Sequence, residues 1–274
     1  MSNIIRADLY RIFRGKALYI TFGALIAFIV LQAVAGTGTV GVNTGAISGE
    51  TDAEIVSNAL DEIAEITRAD GMTAPFIMAG VGGNLVYFLL PLIVCFAGTD
   101  FSSGAVKNVL SRGVSRTKYY FAKLIPVLVC AVIIQVLNLV LPTIVATIRH
   151  GFGGNFTMDW LISVLKVYGT QTLLMLAIAC VGTFIVFLTK KTASITALFL
   201  AFLLAPTMIF YILGMISPKL ENLINYDLVT NINLMAGFSE LPSGDIIRAL
   251  LLCAFWIIAG TAAGTVIFRK SDIK

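Results

Sequence analysis

The sequence is poor in charged residues. Only 12% of its 274 residues are Asp, Glu, Lys or Arg, whereas about a quarter is usual for a soluble domain. Hydrophobic residues make up 58% of the chain, and the mean hydropathy is +0.94. So few charged side chains cannot cover the surface of a soluble protein of this length. The composition therefore predicts an integral membrane protein.

Residue patterns that carry catalysis or metal binding are also missing. The single histidine, His150, has no cysteine or carboxylate cluster near it in the sequence, and the four cysteines stand apart inside apolar runs. Such cysteines are typical of small buried hydrophobes rather than of a zinc site or a redox pair. No G-x-x-x-x-G-K-[ST] phosphate loop occurs. The chain is therefore not predicted to be an enzyme, and no catalytic, metal or cofactor site is predicted on it.

Six apolar segments are long enough to cross a bilayer, which takes about 20 residues of helix. Their predicted bounds are 17–36, 75–98, 120–147, 167–188, 193–215 and 247–268. The first segment could instead be read as a secretory signal, since Ala33–Gly36 ("AVAG") resembles a cleavage site after a basic start. Its apolar run is longer than the core of a signal peptide, which favours a retained span. The predicted fold is a single all-α transmembrane domain of six helices, covering residues 1–274.

The charges divide unequally between the two sides of such a bundle. With the N-terminus placed in the cytoplasm, the inner segments hold 14 of the 19 basic residues and only 3 of the 15 acidic ones. Short cytoplasmic loops carry an excess of Lys and Arg. The distribution therefore predicts that both termini are cytoplasmic.

Three segments outside the spans have patterns of their own. Residues 1–16 place an apolar stripe beside several arginines, which predicts an amphipathic helix in the cytoplasmic interface. The external loop 37–74 contains a predicted acidic amphipathic helix, and we interpret its charged face as solvated. The external loop 217–245 is long enough for one or two short helices that dip into the outer leaflet.

The predicted spans contain few polar residues and no strongly charged residue deep inside. Lys166 is the nearest case, and we expect its side chain to reach the outer interface. Gln135, Asn138 and Gln171 are candidates for lining a transport path, although intramembrane amides more often hydrogen-bond between helices. The Gly260–Gly264 pair allows close helix approach, and it fits either internal packing or an oligomer contact.

The segment between the second and third spans, "TDFSSGAVKNVLSRGVSRTKYYFAKL", is compact and basic. Capping residues precede the run "GAVKNVLS", which predicts a short helix over residues 100–113 with an apolar side and basic rims. Such a helix can insert into a groove of a partner protein. The plainer alternative is a helical turn that only connects two spans. The candidate docking residues are Asp100, Phe101, Ser103, Gly104, Val106, Lys107, Val109 and Arg112.

This segment resembles the cytoplasmic connection between the second and third spans of ABC-2 type permeases. The likeness rests on the acid and Ser/Gly pair before the short helix, and on Ser115, Arg116, Tyr119, Tyr120 and Lys123 after it. The ending "GTVIFRKSDIK" is similar to the closing segment of that family, and the N-terminal helix to its elbow helix. The resemblance covers the whole chain, and its specificity lies in the combination of these motifs with the topology.

The resemblance implies a permease that pairs as a homodimer or heterodimer in the bacterial cytoplasmic membrane. It implies docking of two separate ATPase subunits, which would bind ATP and Mg, onto the coupling helix at residues 100–113, chiefly through Phe101, Val106 and Val109. No nucleic-acid partner is expected. The implied function is export of a peptide, antibiotic or other amphiphile, as in antibiotic resistance or lantibiotic immunity. Two alternatives stay open: an ATPase-coupled sensing or membrane-remodelling complex, and an ATP-independent carrier or channel.

Overall fold

The computed structural model describes Tyr10 and residues 14–35, 70–216, 223–238 and 241–271. All regular structure in these ranges is helical, and no strand occurs in them. The predicted interfacial helix at 1–16 and the predicted acidic helix of the 37–74 loop lie almost entirely outside the described residues. Six segments are long and apolar enough to span a membrane, so the protein is an all-α, multi-pass membrane protein. These segments are Lys16–Val34, Gly82–Ser102, Arg116–His150, Met158–Thr189, Thr192–Ile216 and Ser243–Lys270.

The helices are numbered in chain order. They are α1 (Lys16–Ala35), α2 (Ala74–Gly80), α3 (Leu89–Ile93), α4 (Thr99–Ser102), α5 (Ala105–Ser111), α6 (Arg116–His150), α7 (Met158–Thr189), α8 (Thr192–Ile216), α9 (Leu228–Leu234) and α10 (Ser243–Lys270). We call the end of the bundle where α6 begins and α10 ends the basic end, because Arg116, Lys118, Arg269 and Lys270 lie there.

Helix α7 is the centre of the bundle. About two thirds (67%) of its membrane-crossing segment is buried within the chain, against 11% for α8. Its small residues let neighbours approach closely, since a Cβ added at Gly182 would meet the ring of Phe199 on α8. Large apolar side chains of α8 and α10 point outward, as expected for helices that face lipid.

Two glycines bring α10 against the rest of the bundle. A Cβ added at Gly260 would lie 3.1 Å from the backbone of Cys180 on α7, and one at Gly264 would lie 2.6 Å from the ring of Tyr120 on α6. The Tyr120 hydroxyl donates to the Gly260 carbonyl at 3.2 Å. This glycine pair therefore serves internal packing, one of the two alternatives that its spacing left open.

The second span is interrupted, whereas the sequence interpretation treated 75–98 as one segment. Helix α2 ends at Gly80, a 3₁₀ segment follows over Gly82–Phe88, and a π turn over Val94–Gly98 separates α3 from α4. Glycines weaken a helix, and Pro91 supplies no N–H for the turn before it. The bounds of the span differ as well, because the membrane-crossing segment runs over Gly82–Ser102 instead of 75–98.

Helices α6 and α7 are longer than the predicted spans 120–147 and 167–188. Each begins at a hydroxyl cap, because Ser115 accepts a hydrogen bond from the Lys118 amide and Thr157 from the Trp160 amide. At 1.5 Å per residue, the 35 residues of α6 reach about 50 Å, which exceeds the hydrocarbon thickness. Hydropathy detects only the apolar part of such helices, so their polar ends were missed.

In its described part, the loop predicted at 217–245 contains a 3₁₀ turn over 223–226, the short helix α9 and a second 3₁₀ turn at Met235–Gly237. Asp227 caps α9 by accepting from the Thr230 amide. Leu228, Asn231 and Ile232 are buried, because α9 packs against α7 and the interrupted second span. This helix is therefore part of the bundle interior.

Candidate functional site

The basic end of the bundle contains the connection that was predicted to dock a partner. The predicted helix over residues 100–113 is divided in the structure. Helix α4 finishes the second span at Ser102, Gly104 turns the chain with a positive φ of 68°, and α5 runs over Ala105–Ser111. Gly113, with a φ of 81°, turns the chain again before α6. Glycine adopts this left-handed conformation without steric cost, which explains both turns.

Asp100 and Lys123 form a buried ion pair that joins α4 to α6. The Asp100 carboxylate lies 2.5 Å from the Lys123 Nζ, and the two side chains are 3% and 2% exposed. The Tyr119 hydroxyl donates to the same carboxylate at 2.7 Å. The sequence interpretation counted both residues among the charges of the inner segments and did not predict their pairing. The two residues lie far enough from the span centres to resemble ordinary interfacial charges in sequence.

Five aromatic rings pack beside this ion pair. Phe187, at the end of α7, lies 5.3 Å from the Phe101 ring, 4.9 Å from the Tyr120 ring and 4.7 Å from the Phe268 ring, between centroids. Tyr119 packs against Phe187 and Phe268 as well. The ends of α4, α6, α7 and α10 are therefore held in one cluster.

The three side chains expected to contact a partner, Phe101, Val106 and Val109, lie against this interior instead. Val106 is 1% exposed, and Phe101 and Val109 are half-buried against the core. Asp100, another predicted contact, is buried as well. The apolar side of α5 therefore attaches the connection to its own bundle, which single-sequence amphipathicity cannot distinguish from a docking face.

The outward side of the connection is polar and basic. Its exposed residues are Ser102, Ser103, Lys107, Asn108, Ser111 and Arg112. Beside it lies a shallow cavity of 500 Å³ lined by Lys107, Leu110, Val114, Ser115 and Arg116. Any partner of this surface would meet hydrogen-bond donors and positive charge rather than an apolar ridge.

Arg116 has a structural role that the sequence interpretation missed. Its Nη1 lies 2.8 Å from the Arg269 carbonyl oxygen, 2.7 Å from that of Ser271 and 3.3 Å from that of Phe268. These carbonyls end α10, where helix backbone groups lack partners and a positive charge is favourable. Arg116 thus ties the start of α6 to the end of α10. In the sequence Arg116 is only a basic residue after the Ser115 cap, and nothing near it indicates a partner more than 150 positions away.

Polar side chains also form hydrogen bonds with the irregular backbone of the second span. The Gln171 amide nitrogen donates to the carbonyls of Ala79 and Ile232, both at 2.8 Å, and the Gly83 amide donates to the Asn233 side chain at 2.8 Å. Irregular backbone at membrane depth must find such partners within the protein. Gln171, predicted as a possible path residue, therefore connects α7, the interrupted span and α9.

Asn138 and Gln135, the other two candidates for a path, are both 2% exposed. Pro142, four residues after Asn138, has no N–H to bond the backbone carbonyl of Asn138 as a regular helix would. The Tyr168 hydroxyl donates to that carbonyl at 3.3 Å instead. The two amide atoms of Gln135 make no hydrogen bond within the part of the chain described. The Asn138 side-chain amide donates to the Met78 carbonyl at 3.5 Å. Among the three predicted residues, Gln135 is therefore the one whose amide makes no hydrogen bond to another described residue.

No group of three or more His, Cys, Asp or Glu side chains suited to a metal ion occurs among the described residues. Cys95, Cys130, Cys180 and Cys253 are all free thiols.

No curated protein matches the chain significantly. A family described as "Protein of unknown function (DUF2705)" matches residues 55–274, which is most of the chain and includes five of the six spans. The protein belongs to that family.

Proposed function

We propose that this chain is the permease subunit of an ATP-driven ABC-type exporter and that its basic end binds a separate ATPase subunit. The observation that supports this proposal most strongly is that one short helix, α5, is joined to several spans at once. Its Val106 is buried in the core, and the adjoining α4 is attached to α6 through Asp100 and Lys123. The resemblance of residues 99–124 to ABC-2 permeases agrees with this proposal.

In this proposal the basic end lies in the cytoplasm, in accord with the excess of Lys and Arg there. The partner contacts the outward face of α5, chiefly Lys107, Asn108 and Arg112. A force on α5 would pass through the Phe101 cluster to the ends of α7 and α10, because those aromatic rings are in contact. ATP binding by the partner would then favour one arrangement of the spans over another.

The complex would contain two permease chains and two ATPase subunits in a bacterial cytoplasmic membrane. ATP and Mg would bind only to the ATPase chains. The substrate class that we propose is a peptide, antibiotic or other amphiphile, as the resemblance to ABC-2 permeases implies. The N-terminal residues 1–16 would lie in the cytoplasmic interface as an amphipathic helix.

Affinity purification of the full chain in mild detergent, from its native host, tests the proposal. We expect an ATP-binding subunit to co-purify at one copy per permease chain. Recovery of a pure oligomer of this chain, with its activity independent of ATP, would contradict it and favour a carrier or channel. Reconstitution with labelled candidate substrates would then separate an exporter from a sensing complex.

The docking face can be tested separately. The double variant Lys107→Glu/Arg112→Glu reverses two exposed charges without changing a buried contact, so we expect loss of the ATPase subunit with normal folding. Lys191→Glu, an exposed charge reversal between α7 and α8 at the same end, is the matched control. Equal retention of the ATPase by both variants would show that α5 is not the docking element.

A further inference from the structure

The shallow cavity at the basic end lies between α5 and the start of α6. Its volume of 500 Å³ is within the range of about 300–1,000 Å³ that is usual for small-molecule sites. The membrane-crossing segments of α6 and α10 end beside it, at Arg116 and Lys270. Charged residues that flank a span lie at the level of the lipid headgroups. The cavity is therefore at the depth of the headgroup layer.

Two cationic side chains line this cavity, and neither has a carboxylate partner among the described residues. The Lys107 side chain is exposed and forms no ion pair there. Arg116 uses Nη1 for the α10 carbonyls, whereas its Nε and Nη2 make no hydrogen bond in the described part and are not shielded from solvent. Guanidinium and ammonium groups are the donors that proteins use for phosphate oxygens. Both side chains are therefore available to an anion.

The start of α6 adds a third attraction for an anion. Ser115 lines the cavity and caps this helix by accepting from the Lys118 amide at 3.4 Å. The first-turn amides of the 35-residue helix α6 give that end a partial positive charge. Phosphate groups commonly bind at such helix ends. Leu110 and Val114 supply an apolar part of the wall, which suits the glycerol and first methylene groups of a lipid.

The basic end also carries more positive charge than its own carboxylates balance. Asp100 is the one acidic residue at that end within the described ranges, and it is paired with Lys123. Cations without an ion pair in the described part are numerous there. They are Arg14, Lys16, Lys107, Arg112, Arg116, Lys118, Lys191, Arg269 and Lys270. Such a cluster attracts anionic lipids of the adjoining membrane surface.

We propose that this cavity binds the headgroup of one anionic phospholipid. Its phosphodiester oxygens accept from Lys107 and from Arg116 at the start of α6, and its acyl chains continue into the surrounding hydrocarbon. A zwitterionic headgroup is less favourable, because no carboxylate is among the residues named as lining the cavity to pair with its ammonium group. The depth of the cavity in the headgroup layer favours a lipid over the acidic surface of a soluble protein.

This inference does not depend on the proposed export function. Lys107 also belongs to the docking face proposed above, yet lipid binding is measured on the purified chain without any partner. The two proposals can therefore fail separately.

Native mass spectrometry of the full chain in detergent provides the test. The delipidated protein is titrated with phosphatidylglycerol and, separately, with phosphatidylethanolamine carrying the same acyl chains. We expect about tenfold tighter binding of phosphatidylglycerol, from charge-assisted contacts to two cations. Lys107→Gln should weaken phosphatidylglycerol binding about fivefold, as expected for one lysine near an anionic headgroup. Lys107→Arg keeps the charge and should keep the affinity.

Lys118→Gln is the matched control, because Lys118 is an exposed cation near the start of α6 that is not among the residues lining the cavity. We expect it to leave phosphatidylglycerol binding unchanged. Equal weakening by Lys107→Gln and Lys118→Gln would show diffuse attraction instead of a site and would overturn the proposal, as would equal affinity for the two lipids.

Two further outcomes identify a different occupant. Inorganic phosphate that displaces phosphatidylglycerol at equal concentration, with the same dependence on Lys107, would replace the lipid by a soluble phosphate. Binding of neither lipid would overturn the proposal and assign the cavity to acidic side chains of a protein partner. Because Lys107 is exposed, its variants should fold normally, which their size-exclusion profiles verify.

Discussion

Asp100 and Lys123 lie 23 positions apart in sequence, yet their carboxylate and ammonium groups are in contact inside the basic end of the bundle. The Tyr119 hydroxyl donates to the same carboxylate, and the Lys123 Nζ lies 5.3 Å from the centroid of the Tyr119 ring. This arrangement ties the end of the second span to the start of the third. The short helix α5 between them is consequently held at both of its ends.

Removing one member of this pair should destabilise the protein strongly. We expect Asp100→Asn or Lys123→Met each to cost about 3–5 kcal/mol, because the remaining charge or polar group loses its buried partner. The double variant should cost clearly less than the sum, as residues in one network couple. The loss of stability in each variant is measured by thermal unfolding in detergent, with the folded fraction monitored by size-exclusion chromatography. Lys118→Met, an exposed change on the same helix, is the control, and strictly additive losses would contradict the coupling.

The glycine contact of α10 predicts a second, purely steric effect. Gly264→Ala should lower the melting temperature, because the new methyl group would overlap the ring of Tyr120. Gly169→Ala on α7 is the matched control, since a Cβ there meets nothing within 4 Å. We expect this control to be neutral or slightly stabilising. A melting temperature lowered equally by both variants would contradict the packing described.

Two buried glutamines should respond in opposite ways to the same change. Gln171→Met removes two hydrogen bonds that hold α2 and α9, so we expect a loss of about 1–3 kcal/mol and faster hydrogen exchange in α9. Gln135→Met removes an amide that makes no hydrogen bond among the described residues, and should be neutral or stabilising. Hydrogen exchange by mass spectrometry compares the two. A greater loss from Gln135→Met would indicate a polar role for that residue in the bundle interior.

Asp70 predicts a pH dependence at the start of α2. Burial raises the pKa of its carboxyl, but hydrogen bonds from Thr73 and Met72 outweigh that and lower the pKa below its ordinary value of 3.8. A lowered pKa in the folded state means that the stabilisation is complete above pH 3.8 and is lost as the pH falls through the lowered value.

We therefore expect Asp70→Ala to cost about 1 kcal/mol at pH 7, as for a lost helix cap. The difference from the unaltered chain should shrink as the pH falls below 3.8. Melting temperatures of both proteins between pH 3 and pH 7 provide the measurement. Thr73→Ser keeps the hydroxyl and the amide, so it should change little at any pH. A difference that stays constant down to low pH would contradict the role of the ionised carboxylate.

The orientation of the bundle can be tested by cysteine labelling in intact cells. Asn108→Cys lies on the exposed side of α5, and Asn155→Cys lies in the exposed turn between α6 and α7 at the opposite end. If the basic end is cytoplasmic, a membrane-impermeant maleimide should label Asn155→Cys in intact cells and Asn108→Cys only after lysis. The unaltered chain, with its four native cysteines, provides the background. The reverse pattern would invert the topology that we propose.

Local features of the sequence were sufficient to predict several parts of this protein. Low charge and long apolar runs correctly indicated six membrane-spanning helices, because each span must satisfy its backbone hydrogen bonds within itself. The predicted helix over residues 100–113 was less accurate, because Gly104 turns the chain within it. The segment 217–245, predicted to be long enough for one or two short helices, contains the short helix α9 in its described part. The predicted docking function and orientation remain predictions.

What the sequence alone determined is the class of structure, since hydropathy and helix length depend on residues that are neighbours in the chain. The tertiary structure decided which neighbours each polar or apolar side chain contacts. Phe101 and Val106 were expected to contact a partner, yet both pack on their own bundle. The Phe101 ring meets Phe187 of α7 and Phe268 of α10, and Val106 is buried in the core. Gln171 was a candidate either for lining a path or for a hydrogen bond between helices, and its amide bonds the interrupted span and α9. These contacts join residues that are far apart in sequence, so only the packing of the helices could determine them.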